Sequence, residues 1–212
     1  MKIFNLEKQL EFIEDEKGLH QIGGDIPSDF KIPENQFLGG FQYLGVINNA
    51  DKYFDWLPFP LHLICPIFTD FDFVLLDYEN PNEPKLIYPT NTADVTSAYD
   101  ELTKDSYVVY NKATFSVRPF EGITYENQYT VTAIAGEPHW TQSAQIPTCP
   151  KSNKRMKFVC QLMSFSRITA KDKNFKSEHE NLFTNLNFWC DGDLKIFFEP
   201  TSKIACYFIQ NT

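Results

Sequence analysis

Ala135–Met163 reads AGEPHWTQSAQIPTCPKSNKRMKFVCQLM, and this stretch decides the fold. Gly136-Glu137-Pro138 is a turn signal, because glycine frees the backbone and proline fixes its own φ. Trp140 follows as an aromatic in a polar setting. Pro147-Thr148-Cys149-Pro150 makes a rigid elbow. Met156 to Ser164 then reads as a buried strand. The same order of features occurs earlier. Gly24, Pro27 and Ile32-Pro33 lead to FQYLGVI from Phe41, as Gly136, Pro138 and Ile146-Pro147 lead to MKFVCQL from Met156. The second proline precedes its strand by eight residues in one case and nine in the other. Each series closes on a hairpin signal, LHLICPIFTDFDFVLLD from Leu61 and LKIFFEPTSKIACYFIQ from Leu194. Such self-similarity predicts a duplicated β-rich unit whose two sheets pack together.

Composition points the same way. Aromatic residues make up 16% of the 212 residues, with 20 Phe and 10 Tyr, and such side chains pack well on pleated surfaces. Thirteen prolines and nine glycines predict many turns and few long helices. Charged residues are only 22%, which argues against a disordered chain, and the length is enough for a core without disulfides. The fold class expected is therefore α+β, mostly β: an internally duplicated β-sheet unit with hairpins and two short helices. A single domain over 1–212 is expected, made of two related halves at about 20–90 and 135–210.

The first helix is expected over 5–17, capped by Asn5, with Leu6, Leu10 and Ile13 on one face and Gly18 as its stop. The second is expected over 92–103, with Val95, Tyr99 and Leu102 at helical spacing. Strands are expected from Phe41 to Ile47, and at Leu61–Phe68 and Phe71–Asp77 as a hairpin turning at Thr69-Asp70. A short edge strand is expected at Leu86–Tyr88, and further strands at Ser106–Val117 and Tyr125–Ile134. The polar stretch Ala170–Asn187 reads as a long loop. Asp193–Glu199 and Lys203–Gln210 read as a hairpin around Pro200-Thr201-Ser202.

The formal net charge of −9 disfavours direct contact with nucleic acid and steers the chain toward a basic protein as partner. Five cysteines, an odd number at scattered spacing, argue against a disulfide framework. Reduced, mostly buried thiols are expected, with Cys160 and Cys206 in strand patterns. MKIFNLEKQLEFIEDEK lacks the apolar segment of a secretory signal, and no run approaches a membrane span, so the expected location is cytoplasmic.

Four groups of residues resemble the YwqG-like family and, more distantly, the eukaryotic programmed-cell-death-protein-2 proteins. They are Gly136-x-Pro138-x-Trp140-x-Gln142, Pro147-x-Cys149-Pro150, Met156-x-Phe158-x-x-Gln161-Leu162-Met163 and Trp189-x-x-Gly192-x-Leu194-x-Ile196-Phe197. The resemblance covers roughly Ile134 to Phe198, and extends with less force to His20-Gln21-x-Gly23-Gly24. It implies an internally duplicated, mostly β fold. It also implies a role in handling or neutralising another protein, as in ribosome assembly or toxin immunity. The chain departs from some relatives at Ser152, which stands where a second cysteine would complete C-x-x-C. A lone Cys149 cannot build a four-ligand zinc site, so no metal and no cofactor are expected.

The candidate binding residues are Trp140, Gln142, Trp56 and His139. Trp140 and Trp56 are candidate apolar anchors, and His139 stands beside the first of them as a candidate base or a solvated loop residue. The paired carboxylates Asp70/Asp72 and Asp191/Asp193 suit hydrolysis or a cation, but also suit the turn chemistry of hairpin ends. No phosphate-binding loop, nucleophile elbow or H-E-x-x-H is present. No catalytic residue is assigned. Three readings remain: a non-catalytic intracellular protein-binding module, immunity-like or chaperone-like; a hydrolase using paired Asp residues; and a structural subunit of a homo-oligomer. Oligomeric state is not legible.

Overall fold

The computed structural model describes residues 9–34, 40–66, 72–87, 102–103, 105–124, 126–127, 130–164, 166–188 and 191–211. Among these the chain forms strands β1 (Leu10–Glu14), β2 (His20–Ile22), β3 (Gln42–Ile47), β4 (Leu61–Cys65), β5 (Val74–Asp77), β6 (Lys85–Leu86) and β7 (Val108–Tyr110). Then come β8 (Ala113–Pro119), β9 (Ala133–Ala135), β10 (Lys157–Leu162), β11 (Ala170–Lys173), β12 (Asp193–Glu199) and β13 (Ile204–Gln210). Eleven of them make one sheet in the order β4-β3-β2-β8-β1-β9-β10-β12-β13-β5-β6, and β7 and β11 make a separate pair. All pairings are antiparallel. The mostly β expectation is met.

The helical part of that expectation is not met. Among the described residues the only helical element is the 3₁₀ turn Glu180–Phe183. Most of the helix expected over 5–17 that can be described is instead β1, in the middle of the sheet between β8 and β9. Leu10 and Phe12 are buried while Glu11 and Ile13 are half-buried, a period of two where the residues also fit 3.6. Pairing on both edges decided between the two, because tertiary contacts override a weak helical preference. Gly18 is not a helix stop but a close approach: a Cβ there would lie 2.2 Å from the Phe115 carbonyl carbon on β8. The second expected helix falls mostly outside the described residues.

The expected hairpin of Leu61–Asp77 is also corrected. β4 pairs with β3 at one edge of the sheet, whereas β5 pairs with β13 and β6 near the other. Its turn lies outside the described residues. Ser106–Val117 divides at Asn111-Lys112, so that β7 joins β11 and β8 joins the main sheet. β11 itself occupies part of the stretch read as a loop. The β12–β13 hairpin is as expected, turning through Lys203 at φ 55°.

The two ends of the sheet meet through side chains. The Tyr78 hydroxyl donates to the His62 carbonyl of β4 at 2.7 Å and lies 2.9 Å from the Tyr207 hydroxyl of β13. Tyr207 in turn receives the Ile64 amide. The two tyrosines thus take the place of a strand partner along the β4 edge, satisfying backbone groups that are otherwise orphaned. The curl encloses a single large cluster contributed by both ends of the sheet, including Phe12, Leu44, Leu63, Leu76, Phe198 and Tyr207.

The two meanders β2–β3–β4 and β9–β10–β12 flank the central β8–β1 pair in mirrored order. β2 is followed by Gly23 (φ 71°) and β9 by Gly136 (φ 80°). Both middle strands carry a bulge, at Leu44 between Tyr43 and Gly45 and at Val159 between Phe158 and Cys160. These are the same positions when FQYLGVI is laid on MKFVCQL. Directly after the first bulge on the same strand, Gly45 has φ 126° and a Cβ would sit 2.0 Å from the Gln21 carbonyl oxygen, so only glycine fits. The likeness stops at the last hairpin, because β5 does not pair with β4 as β13 pairs with β12.

Candidate functional site

Alternation along β12 places Asp193, Lys195, Phe197 and Glu199 on the sheet face opposite the main core. β13 adds Cys206, Phe208 and Gln210 to that face, and β10 adds Phe158 and Gln161 across from Phe197 and Lys195. A face with this many charges belongs in water, yet Lys195 and Glu199 are wholly buried and Asp193 nearly so. The cover is the segment 136–156. Its apolar part, with Cys149, Met156, Ile146 and Trp140, packs on Phe158, Phe197 and Phe208 as a second core cluster.

Residues 136–147 form a strap held by hydrogen bonds along its length. The Glu137 carbonyl accepts from Gln9 Nε2 at 3.2 Å, and the His139 amide donates to Gln161 Oε1 at 2.9 Å. Thr141 Oγ1 and Gln142 Nε2 both donate to the Asn211 carbonyl, at 3.4 and 3.1 Å. Gln210 Nε2 donates to the Ser143 carbonyl at 3.0 Å. Pro147 receives the Met156 amide at 2.9 Å, and the turn that follows closes with mutual bonds between Cys149 and the Asn153–Lys154 segment. The Pro-Cys-Pro elbow is therefore a structural return, with Cys149 buried beneath it.

Trp140 lies on Phe197 and Phe208 in stacked geometry, with ring centroids 6.3 and 6.5 Å away and interplanar angles of 24° and 14°. It stays half-buried. The Lys195 ammonium stands 5.7 Å from its ring centroid. Burial pulls Lys195 down to about 8, against the opposing pull of Asp193. Burial pushes Asp193 up to about 6, opposed by Lys195 and by its bond from Gln161 Nε2 at 2.9 Å. His139 is held below the ordinary imidazole range by burial and then by the Lys195 charge. Lys195 Nζ, His139 Nδ1 and Gln210 Oε1 are all buried without a hydrogen-bond partner.

Of the residues singled out from sequence, His139, Trp140 and Gln142 share this strap. Trp56 does not join them. It packs against the main core with the Lys157 ammonium 4.0 Å from its ring centroid, so the two tryptophans are not one surface. Several acidic residues of the first half have cationic neighbours or a histidine partner. Asp51 pairs with buried His20 at 3.3 Å, Asp77 pairs with Lys151 at 2.8 Å, and Asp55 sits near Lys157. Asp70 lies outside the described residues and Asp72 is exposed. Asp191 is exposed while Asp193 is buried and engaged by Gln161, an arrangement unlike two carboxylates facing one substrate. The buried His20 has both ring nitrogens occupied, by Asp51 and by the Asn48 amide at 3.1 Å. It ties β2 to the loop after β3.

Lys195 escaped sequence reasoning. In Asp193-Leu-Lys-Ile-Phe-Phe-Glu199 the charges fall on alternate residues, which is the pattern of a solvent-facing strand. The signal that distinguishes it is Gln161 and Trp140 in the same motif set, since both turn out to contact this face. Among the described residues, no group of three or more His, Cys, Asp or Glu side chains is placed to hold a metal ion. No family model, curated protein or solved structure matches the chain.

Proposed function

We propose that the chain is a non-catalytic protein-binding module, immunity-like or chaperone-like, whose contact surface is the strap 136–147 with Trp140 as its anchor. One observation carries this reading. Trp140 is half-buried and already fixed by stacking on Phe197 and Phe208, so presenting it to a partner costs little ordering entropy. Preorganised aromatic side chains of this kind dominate interface energetics. The net charge of −9 supports a basic partner, whose approach it would speed over a Debye length. A duplicated origin for the two meanders and kinship with the YwqG-like proteins belong to the same proposal, supported by the matching bulges and by the motif residues quoted above.

The experiment starts with affinity capture and mass spectrometry, and then measures binding of the identified partner at low and high salt. Trp140→Ala is expected to weaken binding by about 2 kcal/mol, roughly thirtyfold. Trp56→Ala, on another part of the molecule, is expected to leave it unchanged. Salt-independent binding that Trp140→Ala does not alter would reject the surface. Substrate turnover lost on changing Asp193 or His139 would reject the non-enzyme reading.

A further inference from the structure

Pro138 and Pro147 are buried, while every residue between them, 139–146, is half-buried or exposed. Among the described residues, no backbone group of this span bonds to another backbone group. Its hold on the sheet is four bonds that each need a side chain. They run from the His139 amide to Gln161, from Thr141 and Gln142 to the Asn211 carbonyl, and from Gln210 to the Ser143 carbonyl. Its apolar contribution is Trp140 and Ile146, both only partly buried. The fully buried members of that cluster come from the sheet and from the 147–156 return. The sheet below does not depend on the span, because β12 pairs with β13 on one side and β10 on the other.

What lies at and under this span is poorly satisfied. Ten buried side-chain polar atoms lack a hydrogen-bond partner among the described residues, and four of them are here. His139 Nδ1 is on the span itself, and Lys195 Nζ stands 5.7 Å from the Trp140 ring centroid. Gln210 Oε1 and Asn211 Oδ1 belong to two residues that tie the span down. A polar group buried without a partner bears its desolvation cost only while it is covered, and water relieves it once the cover lifts. Segments with few buried apolar contacts open at free energies well below that of global unfolding. We infer that 139–146 is a lid that lifts as a unit from a still-folded sheet, pivoting at Pro138 and Pro147 and uncovering Lys195, Phe197 and Phe208. Closed, the lid presents Trp140 and hides the ammonium. Open, it withdraws Trp140 from its stacking partners and bares a strip that is both cationic and aromatic. One short segment thus switches the surface between two chemistries.

The inference does not rest on the protein-binding reading, and its test needs no partner. Lys195 is wholly buried, so a reagent reaches its amine only when the cover is off. The protein is treated with N-hydroxysuccinimidyl acetate at fixed pH over a series of urea concentrations below the unfolding transition. Acetylation of Lys195 is followed by peptide mass spectrometry. Parallel samples receive iodoacetamide, which reports Cys160 on β10 and Cys206 on β13, both buried in the sheet beneath. All rates are normalised to those of the unfolded chain. Lys195 is expected to acetylate without urea, at a rate nearly flat in urea, because lifting the lid exposes little surface. The two cysteines should label more slowly, with the steep urea dependence of global unfolding. Thr141→Val combined with Gln142→Ala removes both bonds to the Asn211 carbonyl. It should speed Lys195 acetylation about tenfold, the loss of two weak hydrogen bonds, and leave the cysteine rates within about twofold. Lys195 acetylation that matches Cys206 labelling in rate and urea slope would overturn the inference, since the strap would then leave only with the sheet. A folded double variant with unchanged Lys195 acetylation would overturn it as well. The urea series on the unaltered chain decides even where the double variant does not fold.

Discussion

Tyr78 and Tyr207 close the sheet, and removing their hydroxyls measures that closure. The chain of bonds runs from the Ile64 amide to Tyr207, from Tyr207 to Tyr78, and from Tyr78 to the His62 carbonyl. Both rings are fully buried, so no water replaces a lost bond without cost. Tyr78→Phe leaves the His62 carbonyl without its donor and the Tyr207 hydroxyl without its acceptor, about 2–3 kcal/mol in all. Tyr207→Phe orphans the Ile64 amide but leaves the Tyr78–His62 bond intact, about 1–2 kcal/mol. In a domain of this size each kcal/mol is worth about 2–4 °C in Tm, so the first variant should melt about 4–12 °C lower. The double variant should lose less than the sum of the singles, by about 1 kcal/mol, because the Tyr–Tyr bond is counted in both. Thermal melts and urea titrations of the four proteins give the cycle. Additive losses, or single losses below about 0.5 kcal/mol, would refute the idea that the hydroxyls act as a substitute strand.

Other expectations follow from single sites. Gly45→Ala should destabilise by about 2 kcal/mol or more in urea melts, since Ala at φ 126° collides with the Gln21 carbonyl opposite the bulge. Cys65, Cys149, Cys160 and Cys206 are buried, and Cys65, Cys160 and Cys206 are raised in pKa by burial, so thiol reagents should label these four slowly in native buffer and rapidly in denaturant. His20 is held below its ordinary 6.5 mainly by burial, so the unfolded chain binds the extra proton and stability should fall as pH drops through 6.5. Asp193 works the other way, losing stability as pH rises from 3.8 to about 6. Lys195 and Lys157, each lowered from 10.5 to about 8 mainly by burial, should make the native state more stable as pH rises through that window, and Lys195→Met should remove only its own share of that slope.

Sequence was a good guide wherever local signals and long-range pairing agreed. β12 and β13 alternate, turn at Pro200-Thr201-Ser202 and pair with each other, so the hairpin was legible. The glycine turns and middle strands of the two meanders were legible for the same reason. β1 was not, because Leu10, Phe12 and Ile13 satisfy a helical stripe as well as a strand, and only β8 and β9 on either side decide. The Leu61–Asp77 hairpin was misread because β4 and β5 are strands in their own right. Their partners lie far away in sequence, β5 on β13 and β4 on β3. Nothing in a turn signal says whether the chain pairs across it or crosses to the other end of a sheet.

The candidate site divides along the same line. His139, Trp140 and Gln142 stood out because a glycine–proline turn followed by an aromatic is a local signal, and all three lie on the strap. The lysine beneath it carried no such signal. An alternating strand says only that one face differs from the other; it does not say whether water or a strap covers the polar one. The glutamines settle which it is. Gln161 and Gln210 each spend an amide on the strap's backbone, and Gln161 also takes the Asp193 carboxylate away from Lys195. The hydrogen bonds that fasten the strap are thus among those that leave the ammonium without a partner.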